Sequence, residues 1–150
     1  MRYELIIDPS KEEKIVITAH KMNDTISKIE KIINNNFKLI AYSENEIIPI
    51  NLNEVYAFFT NNGKVYISIK DKEYLIKERL YQIEEVLDDS FIRINQSCIV
   101  NVNYILKFDL SLTSSIKVVL KNNFQDYISR REVKNVKRRL GLWVMLKNLF

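Results

Sequence analysis

The sequence predicts a mainly β chain of the α+β class. A succession of β-rich runs separated by short polar breaks fills residues 38–128. An Asn62-Gly63 pair between two such runs signals a tight hairpin, because both residues tolerate positive φ. Helical periodicity is confined to a few short segments.

RYELIID (2–8) and KIVITAHK (14–21) read as strands flanking a Pro-Ser-Lys-Glu-Glu turn. NDTISKIEKIINNN reads as a helix. Asn23 or Asp24 caps its start, and Ile26, Ile29 and Ile33 lie on one face, widened by Ile32. Residues 1–43 are therefore expected to form a ββα unit, too small to stand alone and suited to oligomerisation or regulation. Then KLIAYS, EIIPINL, VYAFFTN, KVYISIK and EYLIK read as strands, and LYQIEEVLDD (80–89) as a short helix. Strands resume at FIRI, SCIVN, YILKFDLSL, SIKVVLKN and QDYIS. SRREVKNVKRRLGL closes the pattern as a helix, with Val133, Val136 and Leu140 inward and Lys134, Lys137 and Arg138 outward. The apolar tail LWVMLKNLF (142–150) is expected to pack on its own domain, with a dimer seam or a lipid contact as the alternatives.

The 150 residues fit one domain with a small appendage, and 47% apolar residues suffice for a core. No apolar run is long enough to span a membrane, and the N-terminus lacks a signal-peptide pattern, so a cytoplasmic protein is expected. Charge is distributed unevenly. Residues 1–90 carry 12 Lys/Arg against 16 Asp/Glu, while residues 91–150 carry 11 against 3. A basic second half favours a polyanionic partner, nucleic acid before an anionic membrane.

The residues for catalysis or metal binding are sparse. Cys98 is the only cysteine and His20 the only histidine. Cys98 sits in an apolar strand, where a thiol packs as a small hydrophobe. A zinc ligand set is missing, and so is a phosphate-cradling glycine loop. No enzyme and no cofactor are expected. Tyr56, Phe58, Tyr66 and Tyr74 alternate as strand residues do, which favours packing over a single-strand stacking platform.

The run FIRINQSCIVN (91–101) mixes core-seeking Phe91, Ile92, Ile94, Ile99 and Val100 with polar Arg93, Asn95, Gln96, Ser97 and Asn101. Its phrase F-x-R-x-x-x-S-x-x-V-N, with Ile105 following and a Ser129-x-Arg131 helix start, resembles the LytTR DNA-binding domain of bacterial transcription regulators. The resemblance covers residues 52–140, inside a domain spanning 44–150. It implies an elongated sandwich of small β-sheets, with loops entering successive major grooves of double-stranded DNA. It also implies base-reading positions at Asn62 and Lys64 in the Asn61–Lys64 turn, at Asn95 and Gln96, and at Arg131. Gly63 stands where some members carry a histidine.

The chemistry agrees: Arg pairs bidentately with guanine, and Asn or Gln with adenine. Arg93, Lys107, Arg130, Lys134 and Lys137 are candidates for phosphate contacts. Arg93 has a competing role as a hydrogen-bonding buttress of the loop, and Asn101 suits holding backbone where strand meets turn. Only about 45 residues precede the match, so a phosphoacceptor receiver is not expected; the N-terminal piece resembles that of small stand-alone members. Paired DNA sites bound by a homodimer are expected, and an inhibitory membrane-protein partner fits the same resemblance. The alternatives are a regulator that works by protein sequestration and a single-strand nucleic-acid binder.

Overall fold

Alternating apolar and polar residues from Leu39 onward translate into strands that bury one face or both. The structure is a computed structural model that describes residues 7–12, 15–33 and 39–141. A helix, α1 (Asp24–Ile33), is followed by strands β1 (Leu39–Tyr42), β2 (Ile47–Ile50), β3 (Ala57–Asn61), β4 (Lys64–Ile69) and β5 (Lys72–Ile76). Next come α2 (Leu80–Glu84), β6 (Phe91–Asn95), β7 (Cys98–Asn101), β8 (Ile105–Asp109), β9 (Ile116–Leu120), β10 (Gln125–Ile128) and α3 (Arg130–Leu140).

The strands form two antiparallel sheets. The larger has the order β2-β1-β5-β4-β3-β7-β6, and the smaller has β10-β9-β8. Pleating sends successive side chains to opposite faces, and each face of the larger sheet meets its own core. Phe58, opposite Ile99, joins Leu39, Ile67, Ile76 and Phe91 in a first core closed by Leu80 and Ile83 of α2. Ala57, opposite Val100, joins Ile92, Ile94 and Cys98 in a second core. Ile116, Val118 and Leu120 of β9 and Val133 and Val136 of α3 complete it. Strands β3, β7 and β6 thus bury both faces, which is why CIV lacks a polar alternate.

The ends of the elements follow from local chemistry. Asn23, the nearer of the two expected caps, accepts a bond from the Ile26 amide at 3.0 Å. Gln82 accepts from the Arg79 amide at 2.9 Å at the start of α2. Gly141 takes φ +67° and its amide donates to the Lys137 carbonyl, ending α3.

The structure departs from the sequence reading in three places. Residues 15–21 form no strand, and Ile15, Val16 and Ile17 are exposed. Among the described residues no strand lies alongside to pair with them, and propensity without pairing does not hold a strand. Helix α2 stops at Glu84 rather than running to Asp89. Lys137 is buried, at 8% exposure, rather than outward. The Asn62-Gly63 hairpin forms as expected, but the strand expected at 2–8 lies almost wholly outside the described residues, as does the tail 142–150. Among the described residues, no helix is long and apolar enough to cross a membrane.

Candidate nucleic-acid interface

Two hairpin turns and the entry to α3 meet at one end of the larger sheet. The first is the β3–β4 hairpin. Its central residues Asn62 and Gly63 adopt φ +50° and +74°, the mirror-image turn that matches strand twist. Asn61, Asn62, Gly63 and Lys64 are all exposed at its tip. The second is the β6–β7 turn at Gln96 and Ser97. The Thr60 amide donates to the Ser97 carbonyl at 2.8 Å, which fastens the second turn beside the first. The third is the entry to α3. There the Ser129 amide donates to the Ile94 carbonyl at 2.9 Å, one residue before the turn-proximal Asn95.

The β6–β7 turn is heavily braced. Asn95 donates from Nδ2 to the Tyr127 carbonyl at 2.8 Å, and its Oδ1 accepts from the Ser97 amide at 2.7 Å. Both ends of that amide are therefore engaged in joining β6 to β10 and closing the turn. Arg93 donates from Nη1 to the Gln96 carbonyl at 2.8 Å, and its Nε donates to Glu84 Oε2 at 2.8 Å. Gln96 is exposed, and its side chain is presented on this fixed loop.

Asn101 occupies the other end of β7. It is 2% exposed. Its Nδ2 donates to the Val55 carbonyl at 2.9 Å, and its Oδ1 accepts from the Asn103 amide at 3.0 Å. It holds backbone, as its position implied.

Helix α3 brings the basic charge. Arg130, Arg131 and Lys134 are exposed over its first turns, and the Arg131 side chain is 78% exposed. Glu132 Oε1 lies 4.0 Å from Arg131 Nε, a loose pairing for a surface charge.

The sequence-selected residues therefore divide. Asn62, Lys64, Gln96, Arg130, Arg131 and Lys134 are exposed on the turns and the helix entry that converge here. Asn95 is nearby but engaged in the scaffold. Arg93, expected as a phosphate contact or a buttress, braces the turn: its guanidinium is held by Glu84 and the turn carbonyls, and its side chain is 19% exposed. Lys137, expected on the outward face of α3, is buried. Lys107 is exposed on β8, the edge of the smaller sheet opposite β10, and so away from the Asn95–Tyr127 bridge.

Glu84 is a residue the sequence reading missed, although Arg93, its partner, follows only nine residues later. The rings of Tyr56, Phe58, Tyr66 and Tyr74 are used in packing. Phe58 is fully buried, and Tyr56 stacks on Tyr104 at 3.9 Å. Burial in the second core, with Asp126 adding to it, pushes the Cys98 thiol well above its ordinary pKa, which keeps it protonated and inert.

A β scaffold that gathers exposed amides and basic side chains at one end defines a nucleic-acid-binding module. Residues 45–141 match the family model of the LytTr DNA-binding domain, and the chain belongs to that family. Two relatives described as uncharacterised HTH-type transcriptional regulators align with 95% of this chain and 99% of their own length. One, from Staphylococcus aureus strain NCTC 8325, is 36% identical, and one from the bovine strain RF122 / ET3-1 is 34% identical. Among solved structures, the LytTr DNA-binding domain of a Bacillus cereus protein superposes with a TM-score of 0.64 at 24% identity. It covers 69% of this chain and 97% of that one, and it supports the same fold. Between residues 39 and 141 no two helices are consecutive, since α2 and α3 are separated by strands β6 to β10.

Proposed function

We propose that this protein is a cytoplasmic regulator of transcription that binds double-stranded DNA sequence-specifically through the converging turns. In this reading Gln96 contacts a base from the β6–β7 turn, Arg131 contacts one from the start of α3, and Asn62 with Lys64 contacts one from the hairpin tip. Arg130 and Lys134 meet phosphates and set the register without reading sequence. Asn95, Arg93 and Asn101 hold the readers in place.

The observation that carries this reading is the backbone stitching of the three elements, Thr60 to Ser97 and Ser129 to Ile94. Rigid presentation lowers the ordering cost of binding, so exposed polar side chains on a fixed frame suit direct readout. A gel-shift competition tests it. An enriched duplex should displace labelled duplex far better than random duplex or single strands do. Equal competition by single strands would refute the duplex reading.

Binding as a homodimer to paired sites is part of the same proposal. It is supported by Ile15, Val16 and Ile17, which present apolar surface with no strand partner among the described residues. Analytical ultracentrifugation should find a dimer, free or on DNA; a monomer in both states would refute it.

A further inference from the structure

We infer that Glu84, on α2 and outside the turns that face DNA, is a positioning residue that sets base preference at Gln96 by acting through Arg93. This rests on the proposed reading of Gln96 as a base contact.

The path is short and continuous. Glu84 Oε2 accepts from Arg93 Nε at 2.8 Å. The same guanidinium donates from Nη1 to the Gln96 carbonyl at 2.8 Å and lies 3.4 Å from the Asn95 carbonyl. A planar guanidinium has a fixed fork of donors, so anchoring Nε fixes the direction of Nη1. The carboxylate therefore decides where the Gln96 backbone sits, and with it where the Gln96 amide points.

The surroundings give Arg93 an alternative when Glu84 is removed. The ion pair borders a pocket of about 130 Å³, and Asp88 and Asp89 line the same pocket. These carboxylates would draw a released guanidinium away from the turn, and with it the donor that Arg93 gives the Gln96 carbonyl. The β6 register shift between Arg93 and Asn95 places this brace where the sheet ladder is interrupted, so the turn depends on side-chain support there. On the other side, Arg139 of α3 donates to the Asp89 carbonyl at 3.1 Å, which fixes the segment carrying those carboxylates.

Substitution of Glu84 is mild for the fold, because its side chain is 47% exposed and alanine favours helix. The test measures affinity of the full chain for its selected duplex, for every single-base variant of that duplex and for random duplex. Gln96→Ala identifies the base position read from the turn. Glu84→Ala should weaken the selected duplex about tenfold, within the range of couplings carried by packed networks. It should leave random duplex unchanged and flatten the same base position. Glu84→Gln retains an acceptor for Nε and should recover most of the preference. Arg93→Lys, which cannot span both partners, should reproduce Glu84→Ala and provides the second variant if that protein folds poorly. Unaltered base preference in Glu84→Ala and Arg93→Lys, with Gln96→Ala flattening one position, overturns the inference and spares the reading of Gln96. Equal loss on selected and random duplex also overturns it. If Gln96→Ala flattens no position, both fall together.

Discussion

Replacing Asn101 by alanine should cost about 2–4 kcal/mol of folding stability. Its amide donates to the carbonyl of fully buried Val55 and accepts from the Asn103 amide at the turn after β7. A buried acceptor stripped of its donor costs about 1–3 kcal/mol, and the Asn103 bond adds roughly 1 kcal/mol because exposed Asn103 can turn to water. The change is read by urea denaturation with an unchanged slope. Asn101→Asp sharpens the test, since a carboxylate would set oxygen against oxygen where Nδ2 now meets Val55. That carboxyl has its folded pKa raised, so the folded state keeps a proton that the unfolded state releases. Stability of the variant should fall as pH rises through the unfolded carboxyl value of about 3.9, levelling off above the folded pKa. Its deficit against wild type should therefore shrink between pH 7 and pH 4. A loss below about 1 kcal/mol for Asn101→Ala, or a deficit in Asn101→Asp that ignores pH, would refute the reasoning.

Three further outcomes follow from the geometry. Arg131→Ala should cost about 1–3 kcal/mol on the selected duplex and relax one base position, with random duplex little affected; titration by fluorescence anisotropy reads both, and equal losses would show a phosphate contact only. Cys98 has its folded pKa raised above the ordinary 9.0, so above that pH the unfolded state sheds a proton that the native state keeps. Stability should then fall with pH by up to about 1.4 kcal/mol per unit more than in Cys98→Ala; parallel alkaline profiles would contradict it. Gly63→Ala meets open space but must hold φ +74°, so it should cost about 1 kcal/mol by thermal unfolding, and no loss would show that the turn relaxes freely.

Strand positions were legible because pleating writes a two-residue period into the sequence, and the Asn62-Gly63 turn carried its own backbone requirement. The helix entry at Ser129 was legible for the same local reasons. What escaped the reading depended on partners distant in sequence. Asn95 looks like a reader until β10 arrives to receive its amide at Tyr127. Residues 15–21 have strand propensity, but no strand among the described residues pairs with them. Two signals were present and underused. Lys137 lies four residues after Val133 and so falls on the buried face of α3, where a long alkyl stem can pack. Arg93 shares a face with Phe91, two residues away, and that face looks toward the first core and α2.

The central claim is that exposed side chains on two stitched turns and the start of α3 read base sequence. Selection from a random duplex pool by wild type, Gln96→Ala and Arg131→Ala, followed by sequencing, tests it most directly. The account predicts a defined motif for wild type, with each variant losing preference at its own, different position. Identical motifs from all three proteins, or no enrichment by wild type, would contradict it.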